Sequence, residues 1–294
     1  DPADWGIRVY MPRAFSELQG LSLLPPLGLT VFGHYALPNL PMLLVPPVAA
    51  ALKALGEAAE KAGVTLANIM RSNERLAALG FPPMIYFGGI AEAPFDLMSD
   101  TMRGMRGIFL DMLRCPDKLL AAEEKVAAFQ VEYLLSFCQA TGAKYVFFPL
   151  HRGSDGFMSI KQFEKFYWPQ LTGMFDKLIE REITPFVFYE GVWNQRLKHV
   201  AALPKGKTIG WFQASDIFKV KETCGDTLCI VGGMPNSMLQ TGTVETVREH
   251  TKKLCQVVGK GGGFVMSTGV GEMEGSKPEL VKAWVEATHE FGVY

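Results

Sequence analysis

From about residue 83 onward the chain is punctuated by short, nearly uninterrupted apolar runs: Pro83 to Ile90, Tyr145 to His151, Thr184 to Glu190, Lys207 to Phe212, Thr227 to Gly233 and Gly263 to Gly269. A strand with one solvated face alternates apolar and polar residues. These runs do not alternate, so they read as parallel strands covered on both faces, and the stretches between them are long enough for crossover helices. The pattern predicts an α/β protein. With Ile7 to Pro12 as a further strand, the count approaches the eight of a (β/α)8 TIM-like barrel. A doubly wound open sheet is the alternative, but no glycine-rich dinucleotide loop follows any run.

Boundary signals fit this register. Ser159 to Gln162 and Ser276 to Glu279 read as capping boxes, and Gly63, Gly142 and Gly225 as helix C-terminal caps. The glycine run around Lys260 precedes a strand instead of following one, so it reads as a turn and not a phosphate cradle. Val48 to Leu79 reads as one or two helices with a break at Gly63, and residues 21–47 are too proline-rich for regular elements. We expect a single barrel domain over residues 1–294, with an incomplete N-terminal part and the proline-rich segment as a lid or a homodimer surface.

With 29 Lys and Arg against 30 Asp and Glu, the formal charge is −1, which gives no global field for polyanions. No nucleic-acid or membrane partner is expected, since the longest apolar tract, Leu37 to Leu52, is interrupted by Asn39 and four prolines. The five cysteines lack the pairing of a zinc ribbon or redox motif and no secretory signal opens the chain, so reduced thiols in a cytoplasmic protein are expected. Cys229, inside an apolar run, reads as a small buried hydrophobe.

In a barrel the chemistry sits just past the strand C-termini. Those positions hold Glu92, Asp96 and Asp100; His151, Arg152, Ser154 and Asp155; Tyr189, Glu190, Trp193 and Asn194; Gln213, Ser215 and Asp216; Asn236; and Thr268 and Glu272. Bland roles compete for several of them. His151 reads equally as a loop hydrogen-bonding residue, Asp155 and Asp216 as helix caps, and Arg103 and Arg106 as surface charges. Glu190 resists such a role best, because an acid directly after a buried strand and among aromatics needs a raised pKa or a cationic partner.

The segments Ala93 to Asp100 with Arg103-Gly104, Phe148 to Gly153, Asp226 to Pro235 with Thr241 to Thr243, and Gly261 to Gly271 with Lys277-Pro278 resemble the uroporphyrinogen decarboxylase superfamily. That resemblance implies a (β/α)8 barrel with a deep pocket. It also exposes departures. Where decarboxylases carry tyrosine, serine and histidine, this chain has Asp100, Leu150 and Val270, and an arginine-rich segment is missing. Where zinc-dependent thiol methyltransferases carry a His-x-Cys pair and a further cysteine, it has Tyr189, Gly191 and Val270.

The Tyr189 to Gly191 run and the Leu150 to Gly153 loop resemble a third group of members, which demethylate methoxylated aromatics or other methylated compounds and pass the methyl group to the cobalamin of a separate corrinoid protein. A carboxy-lyase with a rebuilt pocket and a non-catalytic tetrapyrrole or corrinoid carrier are the alternatives. An ether oxygen leaves only when an acid or metal polarises it. Glu190, His151 and Asp216 are the expected catalytic residues, and also the ligands if a metal such as zinc is held. Tyr86, Asp96, Asp100, Asp155, Tyr189, Trp193, Asn194, Trp211, Gln213 and Asn236 are expected to contact the methyl donor, with Tyr86, Trp193 and Trp211 as an aromatic wall.

Overall fold

The computed structural model describes residues 45–81, 87–271 and 273–293. The strand expected at Ile7 to Pro12 and nearly all of the proline-rich segment lie outside the described residues. The chain forms two compact units, Asp1–Met84 and Ile85–Tyr294. In the first, the described residues make one helix, α1 (Pro46–Ala78), which Pro46 opens in its first turn, where a missing N–H costs nothing. Gly63 lies inside it and does not break it. Good helix formers on both sides outweigh the roughly 1 kcal/mol that one glycine costs. The glycine that ends the helix is Gly80, at φ 90°, where the chain turns back to bond Phe81 N–H to the Leu76 carbonyl at 2.8 Å.

The second unit alternates strands and helices. Its strands are β1 (Phe87–Ile90), β2 (Tyr145–Leu150), β3 (Thr184–Tyr189), β4 (Ile209–Phe212), β5 (Cys229–Met234) and β6 (Phe264–Thr268). Between β1 and β2 come α2 (Pro94–Leu97), α3 (Gly104–Arg114) and α4 (Pro116–Thr141); between β2 and β3, α5 (Ile160–Gln162) and α6 (Trp168–Ile179). Then follow α7 (Leu197–Ala201), α8 (Ile217–Cys224), α9 (Asn236–Thr241), α10 (Val244–Lys253) and α11 (Pro278–Phe291). Every predicted apolar run holds a strand. Each strand pairs in parallel with the next, in the order β1 to β6 without reversal. That succession is a barrel's, because a doubly wound sheet reverses its order at a switch point.

The register sorts side chains onto two faces. Phe148 lies level with Val187 and Leu150 with Tyr189, all fully buried, and Phe148 meets Phe175 of α6 edge-on at 5.0 Å. On the other face Phe188 lies level with Trp211, their rings 4.5 Å apart.

The Ser159 capping box forms as expected, and Gly142 ends α4 at φ 72°. Gly225 also ends a helix, at an ordinary φ of −61°. It is glycine because a Cβ there would lie 2.5 Å from the Lys221 carbonyl oxygen. The Ser276 box does not form: Pro278 occupies the first turn of α11, which makes Lys277 the cap and leaves the Ser276 hydroxyl without a partner. The glycine-rich turn before β6 runs through left-handed backbone, and Lys221 Nζ bonds the Lys260 carbonyl at 2.9 Å across it.

Two ionisable groups, one partly and one fully buried, bear on stability. Asp155, expected to bind substrate or cap a helix, instead clamps the loop after β3. It accepts Arg196 Nη1 at 2.6 Å and Gln195 N–H at 3.1 Å, while Arg196, almost wholly buried, also donates to the Met158 carbonyl. Glu123, inside α4, is fully buried with neither carboxylate oxygen hydrogen-bonded. Burial, with the nearby Asp96 charge adding to it, raises its pKa to about 9.

Asp155→Ala is expected to destabilise the fold by roughly 3–5 kcal/mol, because Arg196 keeps its charge in the interior without a counter-ion; urea unfolding measures this, and a loss below about 1 kcal/mol would refute the clamp. The unfolded Glu123 ionises near 4.5 and the folded one near 9, so the native state holds an extra proton between those values. Stability from this group is present in full below pH 4.5 and is lost as pH rises through 9. Glu123→Gln should flatten the decline in the urea midpoint between pH 7 and 9; an unaltered slope would count against a protonated Glu123.

Candidate functional site

Sequence spacing builds the centre of the site at the C-terminal ends of β1 to β3. Asp96 and Asp100 stand four residues apart in α2 and the π-type turn Met98–Met102 that continues it. Fully buried, Asp96 accepts the backbone N–H of His151 at 2.8 Å, that of Arg152 at 2.9 Å and the Tyr167 hydroxyl at 2.5 Å. Burial pushes its pKa up to about 7 against these hydrogen bonds, which favour the charged form. Asp96 therefore holds the loop and does not face a ligand.

Held in this way, the two side chains after β2 turn to Asp100. His151 Nδ1 lies 2.6 Å from Asp100 Oδ2, and Arg152 Nη2 donates to Asp100 Oδ1 at 2.6 Å. His151 Nε2 faces Glu190 Oε1, just past β3, at 3.7 Å. Of the two settings expected for Glu190, a raised pKa or a cationic partner, His151 when protonated would supply the second. Burial alone would lower the His151 pKa, but Asp100, with the charges of Asp96, Glu190 and Glu92, outweighs it and holds the imidazole above its ordinary value. Glu92, past β1, has its pKa raised by burial, an effect His151 opposes.

Packing beneath this loop fixes its glycine. A Cβ on Gly153 would lie 2.6 Å from both Trp193 Cζ2 and Tyr167 Cε1. Trp193 and Tyr189, expected against substrate, are both fully buried, with rings 4.9 Å apart. Trp193 Nε1 donates to the Glu190 carbonyl at 2.8 Å, so it supports the acid's loop from below. Trp211 is half-buried on the sheet face opposite the helices and donates to the Thr268 carbonyl. Tyr86 and Glu272 lie outside the described residues.

Past β4 to β6 a cavity of about 580 Å³ opens, lined in part by Gln213, Asp216 and Asn236. Its wall is tied to the Glu190 loop, because Gln213 Oε1 accepts the Gly191 N–H at 2.6 Å and Asn194 Oδ1 accepts the Asp216 N–H at 3.1 Å. Asp216 caps α8, accepting from the N–H groups of Phe218 and Lys219.

For a cation, the structure gathers Glu92, Asp100 and His151, whose ligand atoms lie within 4.8 Å of one another. Of the set expected from sequence, only His151 belongs to this group: Glu92 and Asp100 stand where Glu190 and Asp216 were expected, and Glu190 adjoins the group through His151. Oxygen and nitrogen donors of this kind fit a divalent ion, and the surplus of carboxylates over the fixed charge of Arg152 favours one. No cysteine belongs to the group. Burial raises the pKa of Cys138, Cys229 and Cys255, and that of Cys224 to about 12. Glu92 had a signal in the sequence, standing past β1 much as Glu190 stands past β3. Tyr167 had none, being one aromatic among several in Phe163 to Trp168.

Comparisons with known proteins bear on this arrangement. The family described as Uroporphyrinogen decarboxylase (URO-D) matches residues 21–291. Uroporphyrinogen decarboxylase of Psychromonas ingrahamii is 25% identical over 219 residues, 73% of this chain and 60% of the relative. That of Neisseria gonorrhoeae is 25% identical over 224 residues, 74% of this chain and 61% of the relative. The chain thus spans about 60% of the length of these curated relatives. A solved methyltransferase from Methanosarcina mazei superposes with a TM-score of 0.54 at 20% identity, over 70% of this chain and 58% of that one, which shows a shared fold. Since the family match runs through all six described strands and the loops that carry the acid and histidine cluster, the chain belongs to the uroporphyrinogen decarboxylase family.

Proposed function

We propose that the protein is the methyltransferase component of a demethylation system, taking a methyl group from an oxygen-linked donor, a methoxylated aromatic, to the cobalamin of a separate corrinoid protein. The observation that carries this reading is His151, with Nδ1 fixed by Asp100 at 2.6 Å and Nε2 left facing Glu190 and the mouth of the sheet. Breaking a methyl–oxygen bond leaves electrons on a poor leaving group, and a positioned acid corrects this by delivering a proton as the bond breaks. The carboxylates around the imidazole favour its protonated form, and in that form it would supply the proton from Nε2. Glu190 stabilises the imidazolium and passes on its replacement. A corrinoid bound by a partner would supply the nucleophile that receives the methyl group.

The same residues have a second use. Glu92, Asp100 and a neutral His151 would hold a divalent ion, which would supply Lewis-acid polarisation of the ether oxygen. The donor set is oxygen and nitrogen, suited to an oxygen-linked substrate and not to activating a thiol. Decarboxylation is the competing reading, favoured by the names of the sequence relatives.

Methylation of cob(I)alamin in the presence of a methoxyarene, followed by absorbance, is the test. Glu190→Gln and His151→Ala are each expected to lower the rate by about 10²–10⁴-fold while the fold is kept. Carbon dioxide release from a porphyrinogen without corrinoid would replace this reading with the decarboxylase. For the metal, protein purified without chelators should carry a divalent ion that Glu92→Gln and His151→Ala both lose, as elemental analysis reads; metal-free protein with full activity would exclude that use of the cluster.

A further inference from the structure

The cavity beyond β4 to β6 has a one-sided charge. Among the described lining residues Asp216 is the one carboxylate, and none is a lysine or arginine. Phe212, Met234 and Val270 give it apolar walls, and Asn236 and His250 add polar groups. The imidazole of His250 is committed through Nε2, which donates to the Gly233 carbonyl at 2.8 Å, so in its neutral form Nδ1 is an acceptor. Lys253 has its ammonium 4.3 Å from the centroid of the Phe218 ring and does not line the space.

One place where an anion would ordinarily sit is already filled. The start of α8 offers backbone N–H groups, but Asp216 Oδ1 accepts from Phe218 N–H at 3.0 Å and Lys219 N–H at 3.3 Å. The protein's own carboxylate takes the helix end and adds a negative charge to the cavity. An aromatic acid placed here would meet that charge with no lysine or arginine among the described lining residues to offset it, whereas a phenol finds acceptors.

We propose that this cavity binds the aromatic body of the methyl donor and selects an uncharged, phenolic methoxyarene against carboxylated ones, with Asp216 as the discriminating residue. The proposal deepens the methyltransferase reading and rests on it for the identity of the ligand. Its geometry supports the same division: the cavity wall is joined to the Glu190 loop by the Gln213–Gly191 and Asn194–Asp216 hydrogen bonds, so the cavity adjoins the loop that carries the acid.

Calorimetric titration of the whole chain, without corrinoid, against 2-methoxyphenol and 4-hydroxy-3-methoxybenzoate is the test. The neutral probe is expected to bind about tenfold or more tightly than the carboxylated one. In Asp216→Asn, which keeps the helix cap because asparagine caps as well as aspartate, that gap should collapse through tighter binding of the benzoate. Equal affinities in the wild type, an unchanged ratio in the variant, or no binding of either probe would overturn the proposal. Charge discrimination without cob(I)alamin methylation would remove the methyltransferase reading and leave the cavity assignment standing; methylation without discrimination would do the reverse.

Discussion

The arrangement of the site depends on one buried carboxylate. Asp96 joins the segment after β1 to the segment after β2 by accepting two backbone N–H groups and a tyrosine hydroxyl in a place that water does not reach. Such a group is costly to bury and is tolerated because several donors converge on it. Its effect is to fix the peptide from which His151 and Arg152 project, and so to bring both onto Asp100. Without that anchor, the imidazole would have a freely moving loop beneath it.

Much of the fold was legible because the signals were local. Continuous apolar runs at Tyr145, Thr184 and Thr227 gave strands within a residue or two, since burial on both faces leaves no room for polar positions. Where readings failed, a neighbouring residue changed the balance. Pro278 moved the start of its helix past Ser276, and strong helix formers carried α1 through Gly63.

The site was legible as a set of positions more than as a set of roles. Being next to a strand end located Asp96, Asp100, His151 and Glu190, but whether each side chain points to the interior or the mouth depends on contacts from distant segments. Trp193 and Tyr189 illustrate this. Both stand beside Glu190 in sequence, and both are turned inward by packing with Phe163, Tyr167 and Phe212. Asp155 was claimed by an arginine forty-one residues away, which no pattern near it announces.

The thiols carry a further consequence. A sulfur becomes a strong nucleophile only as thiolate, and burial holds Cys138, Cys224, Cys229 and Cys255 on the protonated side. In a protein whose proposed task is to handle an electrophilic carbon, these side chains are poor competitors for it. The interior is thereby insulated from self-alkylation, a form of chemical durability that comes from where the cysteines are placed and not from their being few.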